Sequence, residues 1–306
     1  MTTVNVSVQS NSRAVLQPRD VLELLKPVTW FPPMWAYMCG AVSSGVVLGD
    51  HLGVLLVGIV LTGPLACATS QAVNDWFDRH VDAINEPNRP IPSGRIPGRW
   101  GLGIALTWSL LTLAVAAVLG RWGFAATVVG LLFAWAYSMP PVRLKQNGWF
   151  GNLAVGLSYE SLAWVTGAAV LLATVGAGPD ARILVVALLY GLGAHGIMTI
   201  NDYKSIEGDR AMGVRSLPVQ LGPERAARVC CAVMLVPQLA VLGLLMAWDR
   251  PLQVVLLAAF IIAQVPAMGR WLTAPRALAP WYNGTGVTAY VSGMLTSAFA
   301  LRGLAG

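Results

Sequence analysis

After a polar opening of 26 residues, the chain alternates long apolar runs with short polar joints almost to its end. A run of about 20 apolar residues is what a helix needs to cross a hydrocarbon core of about 30 Å. Nine such runs can be drawn, over 29–48, 53–73, 100–119, 122–139, 150–172, 182–200, 226–248, 252–272 and 283–303. The pattern predicts an all-α integral membrane protein with nine transmembrane helices. Residues 1–27 form an N-terminal tail and 28–306 a single transmembrane domain. The tail carries Arg13, Arg19 and Lys26 but neither an apolar core nor a small-residue cleavage site, so it does not read as a signal peptide.

Composition agrees: 56% of residues are hydrophobic and 11% charged, far from a soluble globule. The 20 Lys and Arg divide unevenly between the two sides of the nine spans. Only Arg121, Arg182, Arg250 and Arg302 fall on one side, and the other 16 fall on the opposite one. Cytoplasmic loops are rich in Lys and Arg, so the N-terminus is expected inside and the C-terminus outside, in the periplasm. The net charge of +6 is mostly this asymmetry and does not imply nucleic acid. Cys39, Cys67, Cys230 and Cys231 lie within or at the start of apolar runs without metal-ligand spacing, which marks them as packing residues.

The acids change the picture. Of 14 Asp and Glu, seven fall in two short segments on the basic side: Asp75, Asp78, Asp82, Glu86, Asp202, Glu207 and Asp209. Asn74, Asp78 and Asp82 recur every four residues and share one helical stripe. Carboxylates crowded at the end of a span repel one another and pay for lost hydration, so a cation is expected among them. Mg²⁺ suits the site, because it takes one or two carboxylates and completes its shell with water and substrate phosphate.

The second segment repeats the first 127 residues on, with Asn201-Asp202-Tyr203-Lys204-Ser205-x-x-x-Asp209 aligned on Asn74-Asp75-Trp76-Phe77-Asp78-x-x-x-Asp82. Each is followed by a basic, proline-stopped loop, at Arg89-Pro90 and at Arg215-Ser216-Leu217-Pro218. A duplicated four-helix unit accounts for the register. Two acidic ends with flanking cations on one face describe a diphosphate clamp: carboxylates hold metal, metal bridges phosphate, and basic side chains bind the remaining oxygens.

The run from Asn74 through Asp78 and Asp82 to Asn88-Arg89-Pro90-Ile91-Pro92-Ser93-Gly94 resembles the UbiA-type membrane prenyltransferases, in particular their chlorophyll and bacteriochlorophyll synthase branch. Tyr137-Ser138-x-Pro140-Pro141-x-Arg143-Leu144-Lys145 resembles the same branch, and the likeness extends from Lys26-Pro27 to the last span. One departure stands out, since Ser205 occupies the place of the first Asp of the family's usual second motif. Asp202, Ser205 and Asp209 fall on one stripe of an ideal helix, whereas Glu207 lies about 140° from Asp202 and would need unwinding at Gly208. Asp202 and Asp209 are therefore preferred as ligands.

The resemblance implies helices around a central cavity and Mg²⁺ held by Asn74, Asp78, Asp82, Asp202 and Asp209, with Asp78, Asp82 and Asp209 central to catalysis. It also implies diphosphate contacts from Lys26, Arg89, Tyr137, Arg143, Lys145 and Arg210. Phe31, which follows Thr29-Trp30, is similar to the bacteriochlorophyll-type members, and Trp30, Phe31, Trp35, Trp164 and His195 are the implied acceptor contacts. The implied reaction joins geranylgeranyl or phytyl diphosphate to the propionate of bacteriochlorophyllide in a bacterial inner, intracytoplasmic membrane. Membrane lipid and pigment-biosynthesis or light-harvesting assembly proteins are the implied partners. Chlorophyllide, or a quinone or haem precursor, would keep the clamp and change the acceptor. An ion-coupled carrier also uses repeats and intramembrane acids, but its site lies at the midplane rather than at span ends.

Overall fold

The computed structural model describes residues 16–304. Residues 1–15 of the predicted tail, Arg13 among them, lie outside the described residues. The rest of the tail includes a helix, α1 (Pro18–Leu25), with proline at its first position and Leu24 and Leu25 buried. Both leucines pack with Ala72 and Val73 of a helix described below. The chain then turns sharply at Lys26, whose φ is 48°.

Secondary structure among the described residues is helical apart from one isolated bridge. Six helical stretches are long and apolar enough to cross a membrane: Leu48–Ile84, Trp100–Val118, Gly148–Ala173, Ala181–Asp202, Pro223–Ala247 and Pro251–Thr273. The three other predicted spans are helical as well. They form α2 (Phe31–Ser43), only 13 residues long, and two helices that have the length but not the same apolarity, Gly120–Ser138 and Pro275–Arg302.

Two stretches depart from α-geometry in mid-course. α3 (Leu52–Val60) runs through a π-helical segment, Leu61–Cys67, into α4 (Ala68–Asn85). Pro64 lies inside that segment and has no N–H to give to an α-ladder, which accounts for the widened turn. α5 (Trp100–Val118) and α6 (Gly120–Ser138) follow as a hairpin. α7 (Gly148–Gly156) then passes through a second π-helical segment, Leu157–Leu162, into α8 (Ala163–Ala173).

The remaining elements are α9 (Ala181–Asp202), the short α10 (Ile206–Ala211) and α11 (Leu217–Leu221), and three long helices, α12 (Pro223–Ala247), α13 (Pro251–Thr273) and α14 (Pro275–Arg302). The main core gathers side chains from α2, α8, α9 and α12–α14, and a smaller one joins α1, α4 and α5. α2 and α8 cross backbone to backbone: a Cβ on Gly40 would meet the Trp164 carbonyl, and one on Gly167 the Tyr37 carbonyl. Small residues at such crossings allow the close approach on which helix packing in lipid depends. α4 contacts α1, α5 and α6, while α9 contacts α7 and α12. These neighbours bring the two acidic segments, at the ends of α4 and α9, to the same end of the bundle.

Candidate active site

α4 does not stop where its apolar run stops. It continues unbroken to Asn85, so Asn74, Asp78 and Asp82 keep their four-residue register on one helix. Each engages a different neighbour. The Asn74 amide donates to Ser138 Oγ at 3.2 Å. Asp78 receives the Lys145 ammonium, in close contact, and the Arg143 guanidinium at 3.4 Å. Asp82, 7% exposed, pairs with Arg89 at 2.8 Å.

Asp75 is the acid that the sequence-based ligand set left out. Seven residues before Asp82, it lies on the same side of the helix, and Arg89 reaches both. Its exposure is 1%, Lys26 Nζ stands 2.6 Å from Oδ1, and Oδ2 is buried without a hydrogen-bond partner. The spacing of seven was a readable signal. Arg89 completes its fork on Glu86 at 2.6 Å. Four of the six expected diphosphate residues, Lys26, Arg89, Arg143 and Lys145, thus converge on the carboxylates of the first motif.

Arg143 and Lys145 are delivered by the loop between α6 and α7. Arg143 adopts φ 40°, and Lys145 follows in a short 3₁₀ turn. Burial pushes the Lys145 ammonium below its usual range, and Asp78 pulls it back. The loop is pinned to the second motif's loop, because Gly148 N–H donates to the Arg215 carbonyl at 2.8 Å and Arg215 N–H to the Gln146 carbonyl at 2.9 Å. That parallel bridge is the physical link between the two acidic segments. No pattern in the sequence signals it.

The second segment differs from the ideal stripe drawn for it. α9 ends at Asp202, the chain breaks its helix over Tyr203, Lys204 and Ser205, and α10 begins at Ile206. The unwinding therefore falls at Tyr203–Ser205 and not at Gly208. Its cause is tertiary: Tyr203 is buried against Trp271, and its hydroxyl donates to the Pro223 carbonyl. Ser205 stands in the break, and its hydroxyl lies 3.1 Å from Asp209 Oδ2. Burial raises the Asp209 carboxyl above its usual range, while the bond from Ser205 lowers it.

Asp202 is held by the Asn152 amide at 2.9 Å, a partner on α7 with no sequence signature. Glu207 makes an exposed ion pair with Arg276 at 2.6 Å. Arg210 is exposed on α10. Tyr137, near the end of α6, lies close enough to Asp78, Asp202 and Asp209 for the charges of all three to act on its hydroxyl. The two segments therefore face a common space.

The expected acceptor residues scatter. Trp30 donates to the Leu25 carbonyl at 2.8 Å and packs with α1 and α4, while Phe31 is 53% exposed and stacks on Trp35 at 5.6 Å. Trp35 donates to the Val291 carbonyl at 3.0 Å. Trp164 corrects the expectation drawn for it: it has no exposed surface, stacks on Tyr190 at 5.6 Å and donates to Ser43 at 3.0 Å, so it packs the core. His195 is 6% exposed beside Trp149, with neither ring nitrogen hydrogen-bonded.

A substitution at the bridge separates the role of this geometry from that of the charges. Gly148 has no room for a side chain, since a Cβ would press on the backbone of Leu217. Gly148→Val is expected to displace the Lys145 loop and lower turnover about 100-fold, the scale of an ångström of misplacement. Turnover and thermal melting of the detergent-solubilised protein check it. Full activity with an unchanged melting point would mean that the bridge positions nothing.

A helical membrane bundle that gathers carboxylates, lysine and arginine at one end defines a lipid-embedded protein built to hold an anion. The model of the UbiA prenyltransferase family matches residues 29–298, and the chain belongs to that family. It is a prenyltransferase, which decides against an ion-coupled carrier. The chain is 58% identical over 291 residues to the bacteriochlorophyll synthase 33 kDa chain of Rhodobacter capsulatus, covering 95% of this chain and 96% of that one. It is 56% identical to the same-named chain of Cereibacter sphaeroides, covering 98% and 99%. The fold matches a solved UbiA homolog from Archaeoglobus fulgidus bound to GPP and Mg²⁺, with a TM-score of 0.60, 20% identity and coverage of 93% and 99%.

Proposed function

We propose that this chain esterifies the propionate of bacteriochlorophyllide with a prenyl group drawn from geranylgeranyl or phytyl diphosphate, releasing diphosphate. The observation that carries the acceptor is the near full-length similarity to two bacteriochlorophyll synthase chains. The convergence of Lys26, Arg89, Arg143 and Lys145 on Asp75, Asp78 and Asp82 supports the donor. Lipid-soluble substrates suit a site at the end of a bundle of membrane-crossing helices. The proposed setting is a bacterial inner membrane, with the clamp on its cytoplasmic face.

The donor set fits magnesium. It is all oxygen, and one buried oxygen, Asp75 Oδ2, lacks a partner. Among the described residues no three acids, histidines or cysteines enclose a cation by themselves. A metal that takes one or two carboxylates and shares the rest of its shell with phosphate does not require such a cage. Asp78 and Asp82, with Asn74, would hold it on one side and Asp202 with Asp209 on the other. When bound, Mg²⁺ neutralises charge on the departing diphosphate.

The chain's own residues do the rest. Lys145, Arg143 and Arg89 exchange carboxylate contacts for phosphate oxygens as the donor enters, so cationic charge is already in place where the leaving group develops its own. Tyr137 is near acids of both segments, where it would contact the diphosphate. The propionate of the acceptor, with an ordinary pKa of about 4–5, is already ionised at neutral pH, and no general base has to be supplied.

Membranes holding the protein, given bacteriochlorophyllide, geranylgeranyl diphosphate and Mg²⁺, are expected to yield esterified pigment and to stop on chelation with EDTA. Pigment analysis by chromatography reads the result. An ester made from chlorophyllide alone would move the acceptor to the sister pigment, and no Mg²⁺-dependent ester from either would defeat the proposal.

A further inference from the structure

Glu160 takes no part in the clamp. It lies in the second π-helical segment, inside a stretch apolar enough to cross the membrane, and is 5% exposed. Its Oε2 is enclosed with no hydrogen-bond partner, and none of the ion pairs among the described residues includes it. Ser161, its neighbour, donates to the Ala187 carbonyl, and Gly191 packs against Gly156 and Ser161. Glu160 therefore sits near the level of Gly191, roughly 16 Å along α9 from Asp202 at about 1.5 Å per residue.

A polar track leads from the clamp towards it. Ser70, Asn74 and Asp78 follow one another every four residues along α4, and Ser70 Oγ lies 2.7 Å from the Tyr159 hydroxyl. Cys67 and Gln71 also reach that hydroxyl, at 3.3 and 3.4 Å. Glu160 is the next residue, close enough to Cys39 on α2 and Tyr290 on α14 for a charge there to act on both.

A buried carboxyl without a partner costs stability that a leucine of similar size would not. Intramembrane ionisable groups and π-helical turns both concentrate at functional sites. A hydrocarbon chain offers such a group nothing, and the reacting carbon at the clamp is too far away. A tetrapyrrole has both the length to reach down from the clamp and polar groups on its rim. Deep in a bilayer the neutral acid is the cheaper form, and a neutral carboxyl carries an O–H to donate.

We propose that Glu160 positions the acceptor, donating a hydrogen bond to a conjugated carbonyl on the macrocycle rim so that the propionate is directed at the donor carbon. This rests on the tetrapyrrole reading of the acceptor given above. Glu160→Leu is expected to raise KM for bacteriochlorophyllide about tenfold, the worth of one hydrogen bond, and to leave KM for the prenyl diphosphate unchanged. Glu160→Gln keeps an N–H donor and restores most of the affinity. Resonance Raman spectra of bound pigment should show a carbonyl stretch lowered in the wild type and in E160Q and at its free position in E160L.

An unchanged pigment KM in E160L, with ester still formed, would sink the role of Glu160 and leave the proposed function standing. Absence of ester from wild-type membranes would overturn both. The wild type gives a further arm if E160L does not accumulate: its carbonyl band should move on exchange into D₂O, and a free, exchange-insensitive band overturns the proposal.

Discussion

Replacing Asp82 with alanine is expected to abolish prenyl transfer, by about 1000-fold or more, while the protein still inserts and folds. The carboxylate is 7% exposed and pairs with Arg89 at 2.8 Å. Arg89 does not depend on it alone, since Asp75 lies 3.4 Å and Glu86 2.6 Å from the same guanidinium. Removing Asp82 therefore leaves no buried cation without a partner, and the fold loses little. On the proposed function, what is lost instead is a carboxylate that would hold the metal, a contribution on the scale of oxyanion stabilisation. Asp78→Ala should lose turnover as well but leaves Lys145 and Arg143 without their carboxylate partner, and Asp75→Ala strips a buried acid from both Lys26 and Arg89, so each of these two should also cost about 3 kcal/mol of stability. Thermal melting set against Mg²⁺-dependent turnover separates the two classes. An Asp82→Ala protein retaining a tenth of its activity would remove that residue from the metal site.

How much of this was legible beforehand depended on whether the signal was local. The first motif was readable because α4 runs unbroken through it, so a four-residue spacing in sequence is a stripe in space. The long apolar rods were readable because a bilayer imposes their length. The second motif looked like a copy of the first and is not one in shape. Its helix ends at Asp202 because Tyr203 is drawn to Pro223 and Trp271, partners about 20 and 68 residues further along the chain that no local rule relates to it.

The loop bearing Arg143 and Lys145 was marked as basic, but its seat on Arg215 is a tertiary fact. Tryptophans were the poorest guide. In an apolar stretch a tryptophan reads the same whether it faces lipid, a ligand or the core, and Trp164 proved to be core. Pro64 could have announced the first π-helical segment, whereas the second, Leu157–Leu162, contains no proline. Glu160 drew no attention because a single acid has no spacing, and its lack of a partner appears only in three dimensions.

Lys145→Met is the variant that tells a ligand from a counter-charge, and it is expected to cost about 1000-fold in turnover. In the structure Lys145 contacts Asp78, and a basic residue in such a place can act in either of two ways. As a counter-charge it offsets the desolvation of Asp78, and its loss leaves that acid with the more distant Arg143. As a phosphate ligand it supplies positive charge to a leaving group whose own charge grows during reaction. Pairing Lys145→Met with Asp78→Asn separates the roles, because the asparagine removes the charge that needed compensation and keeps an oxygen in place. A counter-charge role predicts that the double variant recovers in stability and turns over no worse than Asp78→Asn alone. A phosphate role predicts that stability recovers while turnover falls well below that of Asp78→Asn alone, with KM for the prenyl diphosphate raised and that for the pigment unaltered. The second outcome is expected, since Lys145 contacts Asp78 of the first segment from a loop pinned to the loop of the second, a placement that neutralising one aspartate does not require.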